Sequence, residues 1–186
     1  MNATDYTFDA HYREEAQLGD GTRVVLRLVQ PGDRELLRRG FERLSSESRY
    51  LRFMSVKPRL SEADLDALMD LDGEQRFAIG AVRADGDGGR SEGLGVARFA
   101  RLADDPEVAE AAVTVVDEAQ GRGLGSLLLR RLAAAARERG IRYFRGEILV
   151  RNQPMQRLLE DHAAARVVST GEGTVQVLVE LPDSDA

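Results

Sequence analysis

The sequence predicts an α/β fold: a single domain built on a mixed, mostly antiparallel sheet with a central parallel strand pair flanked by helices. Three observations carry this prediction. Three strand-like segments between residues 76 and 117 are joined by short turns, the connection that antiparallel pairing allows. Next come a glycine loop, a helix over 122–139 and a further strand over 141–150, a crossover unit that implies a parallel pair. No repeat, linker or low-complexity tract divides the 186 residues, a length that suits one domain with a proper core.

Taken in order, residues 1–20 are polar and without periodicity, which predicts a flexible N-terminal arm before a domain over 21–182 and a tail over 183–186. TRVVLRLVQ (22–30) alternates Val24, Leu26 and Leu28, a strand signal. PGDRELLRRGFERLSSES (31–48) reads as one helix, with Pro31 near its start and Leu36, Leu37, Phe41 and Leu44 on one stripe. RYLRF (49–53) follows as a short helical or turn segment, and Ser61 with Asp64 makes a capping box for a second good helix. RFAIGAVRAD (76–85) is a strand, DGDGGRSEG a hairpin turn, GLGVARFARLA (93–103) the return and EVAEAAVTVVD (107–117) a third strand. Helix 122–139 ends at Gly140, and Leu124, Leu127, Leu128, Leu132 and Ala135 form its buried stripe, with Arg130, Arg131, Arg137 and Glu138 toward water. A helix over 153–163 and two strands, ARVVST and TVQVLVEL, close the sheet.

Composition bounds the function. There is no cysteine, which excludes disulfides and thiolate metal sites and fits a reducing cytoplasm. No apolar stretch reaches membrane-spanning length and the polar start lacks a signal-peptide core, so a cytoplasmic location is expected. A net charge of −6 argues against nucleic acid as the main partner. His11 and His162 are the only histidines, too few for a metal site without thiols, so none is expected. Lys57 is the only lysine, a bias that fits an arginine- and alanine-rich genome.

The richest signal is AQGRGLGSLLLRR (119–131). The first amides of a helix have no partner inside it, and the macrodipole leaves about half a positive charge there. Gly121, Gly123 and Gly125 remove the side chains that would keep an anion away, so a phosphate or pyrophosphate is the natural occupant. A ligand-free tight turn is the plain alternative, weakened because each helical glycine costs about 1 kcal/mol of propensity. The loop has no Gly-Lys-Ser/Thr, so it is not a Walker loop, and its G-x-G-x-G spacing departs from the dinucleotide G-x-G-x-x-G.

These residues resemble the GNAT acetyltransferase superfamily. Its cofactor motif, Gln/Arg-x-x-Gly-x-Gly/Ala, is matched by Gln120-Gly121-Arg122-Gly123-Leu124-Gly125, and its Asn opening the next helix by Asn152. SSESRYLRF, AEAAVTVVDEAQGRGLG and GEILVRNQPM are similar in particular to the Pat-type protein lysine acetyltransferases. The resemblance implies a GNAT-like domain whose central parallel strands splay apart, with acetyl-CoA as co-substrate. It implies pantetheine contacts at Val113, Thr114 and Val115, pyrophosphate contacts from Gly121 through Ser126, and ordering of the pantetheine side by Asn152.

The implied reaction moves an acetyl group to a primary amine, with a protein lysine as the expected acceptor. A lysine with pKa about 10.4 is free base in roughly one part in a few thousand at pH 7, so a carboxylate must take its proton. Glu110 matches the position of the Pat-type base, and Glu147 lies where other members carry one; Glu110 is favoured, and Glu107 is a weaker third. For each, a solvated or ion-paired strand-end carboxylate is the plain alternative, with Arg145 or Arg98 as partner. Backbone N–H groups near Val115 would stabilise the thioester oxyanion.

There are departures from the pattern. The Tyr that protonates the leaving thiolate in many members is Leu159 here, and the usual Gly-Phe pair is Ala163-Ala164. A thiolate with pKa near 8.5 leaves tolerably without an acid, and the Pat-type subgroup lacks the Tyr too. A non-catalytic acyl-CoA-binding sensor therefore stays open as a second reading, and a dinucleotide-binding enzyme as a third. The acceptor pocket falls in segments with little motif information, residues 31–70 and the last strands, and the oligomeric state is not encoded in any motif. If lysines are acetylated, self-modification is restricted to Lys57 or the N-terminal amine.

Overall fold

The computed structural model describes residues 7–84, 92–160, 165–171 and 173–182. Within them lies an eight-stranded sheet in the order β1-β2-β3-β4-β5-β6-β8-β7. Its strands are β1 (Arg13–Gln17), β2 (Arg23–Leu28), β3 (Arg76–Arg83), β4 (Gly93–Arg101), β5 (Val108–Val115), β6 (Tyr143–Leu149), β7 (Ala165–Thr170) and β8 (Thr174–Glu180). Only β5 and β6 pair in parallel, as the crossover through helix α4 (Leu124–Glu138) requires. The predicted α/β class and mixed sheet therefore stand; residues 85–91 of the hairpin turn expected over 85–93, like His162 and Ala163-Ala164, lie outside the described residues.

Helices cover both faces. On one face α4 seats Leu124, Leu128 and Leu132, all essentially inaccessible, against Phe77, Ile79, Ala97 and Phe99. Gly95 makes this approach possible: a Cβ there would sit 2.9 Å from Leu128 Cδ1 and 3.1 Å from the Thr114 carbonyl. The other face carries α1 (Arg34–Glu42), α2 (Ser46–Phe53) and α3 (Glu62–Met69), which share a small core of Phe41, Leu44, Leu60 and Leu65. Ser61 accepts from the Asp64 N–H and donates to its carboxylate, so the expected capping box opens α3.

Two expectations are corrected. Residues 31–48 do not make one helix: a 3-10 turn over Pro31–Asp33 leads into α1, and the chain breaks before α2. The break is held by Ser45, whose side chain accepts from the Ser48 N–H as an N-cap while its own N–H donates to Asp117. The predicted N-terminal arm is part of the fold among its described residues, with Phe8 and Leu18 in the main core and β1 added to the sheet edge. Two residues of α4 expected to face water hold it there: Arg131 donates twice to Glu14, at 2.6 Å each, and Glu138 accepts the Thr7 and Phe8 N–H groups. Polar residues thus anchor a strand that apolar alternation does not announce.

Candidate active site

β5 and β6 pair only through Val108↔Tyr143, Ala109↔Phe144 and Glu110↔Arg145. Beyond these positions β5 keeps its antiparallel ladder with β4 as far as Val115, and β6 keeps its ladder with β8 as far as Leu149. The two strands therefore separate, and a cleft of about 1280 Å³ opens along the gap and past the start of α4.

Backbone alternation decides which groups face this gap. Val116 N–H donates to Leu94 C=O and Leu102 N–H donates to Val108 C=O, so even-numbered β5 residues turn their peptide groups toward β4. Ala111, Val113 and Val115 then direct theirs into the gap. The Val115 carbonyl accepts from Gln120 Nε2 at 3.0 Å, which leaves the Val113 pair and the Val115 N–H open along that edge. Of the three β5 positions the resemblance implies, Val113 and Val115 present backbone to the gap. Thr114 turns its peptide to β4 and its hydroxyl, on the α2 face, to Arg52 Nε at 3.1 Å.

The loop before α4 meets this edge. Gly121 and Gly123 sit at φ +70° and +87°, a conformation strained for any L side chain, and nothing lies within 4 Å of where a Cβ would stand on either. Gly123 is the N-cap, and the first α4 bond runs from Leu127 N–H to its carbonyl, so the Leu124, Gly125 and Ser126 amides have no partner within the helix. Arg122 is held away from them by an ion pair to Asp20 in the β1–β2 turn, where Gly19 N–H also donates to the Arg122 carbonyl. Gln120, besides capping Val115, lies 3.4 Å from Ser48 on α2.

The open strand edge, the open amides and the uncrowded glycines are groups that could hold an extended chain ending in a diphosphate, which is the shape of coenzyme A. The same three elements fit the co-substrate that the loop motif implies.

Asn152 is buried, and its Oδ1 accepts the Met155 N–H at 3.1 Å, capping α5 (Gln153–Glu160). Its structural work is thus to turn the chain from β6 into α5. Leu158 of α5 approaches Gly125, so α5 borders the cleft beside the α4 start. Arg151 stacks on Tyr50 at 4.8 Å and ties this turn to α2.

Glu110 and Glu147 both border the cleft on the α2–α3 face of the sheet, one on each side of the gap. Glu110 has a 62% exposed side chain and accepts from Arg145 Nη2 at 2.9 Å, so the arginine named as a possible partner is found there. Glu147 is exposed and forms no hydrogen bond or ion pair among the described residues. Glu107 lies lower, at the paired end, 3.8 Å from Arg142. Two further arginines stand on this wall: Arg98, named from sequence only as a possible partner of the base, a role that Arg145 takes for Glu110, and Arg52, which was not singled out. Arg52 and Arg98 both line the cleft, and only the short RYLRF segment hinted at the first.

Comparison with known proteins agrees with this geometry. The family model for the acetyltransferase (GNAT) domain matches residues 23–162. The chain belongs to the GNAT acetyltransferase family. It is 34% identical over 176 residues to the acetyltransferase Pat of Mycolicibacterium smegmatis, covering 91% of this chain and 49% of that protein. It is 37% identical over 126 residues to the acetyltransferase PA5475 of Pseudomonas aeruginosa, covering 67% of this chain and 66% of that one. Among solved structures, the GNAT domain of S. lividans PAT superposes with a TM-score of 0.82 at 34% identity, covering 94% of this chain and 99% of that one. The chain thus spans about half to two thirds of the length of these curated relatives. Among the described residues, no group of three or more acidic, histidine or cysteine residues could hold a metal, and no helix is long and apolar enough to cross a membrane.

Proposed function

We propose that this GNAT domain transfers an acetyl group from acetyl-CoA to the side-chain amine of a protein lysine, in a reducing cytoplasm. The observation that carries the reading is the separation of β5 from β6 after Glu110, beside the first α4 amides, which have no partner within the helix. The Val113 and Val115 peptide groups take the pantetheine as a further strand, and the amides of Leu124, Gly125 and Ser126 take the diphosphate. Bound this way, the co-substrate supplies an activated acyl group.

The chain's own residues do the rest. Glu110 receives the proton of the incoming ammonium, directly or through a water, on the face lined by α2 and α3. Arg145 fixes its carboxylate at the point where the strands part. A backbone N–H on the gap edge of β5 meets the oxyanion. With leucine at position 159, thiolate departure relies on the thiol's own acidity. The lysine acceptor is supported by the likeness to Pat of M. smegmatis and to S. lividans PAT over nearly the whole described domain.

Incubation of the protein with acetyl-CoA and a lysine-rich protein, followed by mass spectrometry, tests this. Enzyme-dependent Nε-acetyl groups on the acceptor are expected. Acetyl-CoA binding without any transfer would leave a non-catalytic sensor.

A further inference from the structure

Arg52 on α2 and Arg98 on β4 are far apart in sequence, yet both line the wall where the cleft meets a second, apolar cavity of about 90 Å³ under α1 and α2. Arg52 spends one N–H on Thr114, and its guanidinium lies 5.0 Å from the Phe53 ring centre. Arg98 donates to the Ala67 carbonyl at 3.3 Å. Among the described residues neither forms an ion pair with a carboxylate, in a chain where most buried or half-buried arginines have one. Asp70 attracts Arg98 but is itself engaged by Arg76 at 3.3 Å. Burial, with the like charge of Arg98 close by, pushes the Arg52 guanidinium down to about 10.

Two partly desolvated like charges are unfavourable together unless an anion joins them, and the planar guanidinium fork matches a carboxylate in shape as well as sign. The register fixes where that anion would lie. Arg98 pairs with Ala112 and Ala100 with Glu110, so Arg98 is the same-face diagonal neighbour of the proposed base across the strand pair, about 7–8 Å away. Thr114, bound to Arg52, is the next same-face residue along β5.

We propose that Arg52 and Arg98 form a carboxylate-binding pair that selects acceptor amines bearing an acidic group close to the reacting nitrogen. The inference deepens the lysine-acetyltransferase reading and rests on it. Its preferred acceptor is a lysine beside a glutamate or aspartate, since a neighbouring acidic side chain spans the step between base and arginines. The α-carboxylate of a free amino acid offers the same chemistry from a second source, and the test separates the two.

The experiment measures kcat/KM on two lysine peptides that differ only by Glu or Gln beside the lysine. A second arm uses free lysine and cadaverine, which is lysine without its carboxylate. The Glu peptide is expected to be favoured by about 10- to 100-fold, the discrimination of a charge-assisted pair. Arg52→Gln and Arg98→Gln should each bring that ratio toward one, a change that loss of a merely structural contact to Thr114 would not produce. Thermal stabilisation by acetyl-CoA reports that each variant is folded. Equal use of both peptides overturns the carboxylate pair and leaves lysine acetylation standing. Preference for lysine over cadaverine without peptide turnover keeps the pair and overturns the protein acceptor.

Discussion

Replacing Glu110 by glutamine is expected to cut turnover by about 10²–10⁴-fold while leaving acetyl-CoA binding intact. The size follows from the acceptor's chemistry: an ammonium cannot attack a thioester, and the amide of glutamine cannot take its proton. The selectivity follows from position. Glu110 is on the α2–α3 face, whereas the proposed co-substrate cradle is made of β5 backbone and α4 amides. The fold should tolerate the change, because the ion pair to Arg145 has a 62% exposed partner and such pairs contribute at most about 1 kcal/mol. Steady-state kinetics beside a binding isotherm separate the two effects. Unchanged turnover would transfer the role to Glu147, which faces the same gap from β6 without a competing ion pair among the described residues.

The largest effect on stability is expected from Leu128→Ala. Leu128 is fully buried in α4 and packs over Gly95, where the helix comes closest to the sheet. Truncation removes buried methyl groups and leaves a cavity that a glycine cannot fill, a loss of about 2–5 kcal/mol. For a chain of this size each kcal/mol shifts Tm by roughly 2–4 °C, so a drop of about 4–20 °C is predicted by calorimetry. A drop below about 2 °C would mean that α4 is not seated as described. Acetyl-CoA should restore part of the loss, since a ligand that binds only the folded state raises its apparent stability.

Much of this architecture was legible because short-range rules govern it. The stripe of Leu124, Leu128 and Leu132 has helical spacing, and Gly123 and Gly140 stand at left-handed φ at the two ends of α4, where glycine is favoured. The antiparallel run from β3 to β5 followed from turn lengths. What was missed depends on contacts between distant residues. β1 reads as a polar tail because Glu14 is held by Arg131, 117 residues away. The break between α1 and α2 depends on Ser45 finding Asp117, which no local pattern encodes.

The site divides in the same way. The end proposed to hold phosphate was marked by the glycines alone, while the parting of β5 from β6 was expected only through family resemblance. Nothing in the spacing of RYLRF and GVARFARLA places Arg52 and Arg98 on one wall. The sheet register brings them together. Thr114 shows the limit of carrying a motif over whole: its neighbours face the gap, and the pleat turns its own peptide away.

Isothermal titration of the folded protein with acetyl-CoA, set beside S-acetyl-pantetheine, tests the central claim most directly. Both ligands carry the thioester arm, and only the first carries the diphosphate. The α4 amides and glycine loop predict saturable heat with acetyl-CoA and binding at least about tenfold weaker for the truncated ligand. No heat with acetyl-CoA at about millimolar concentration, or equal affinity for the two, would contradict the account.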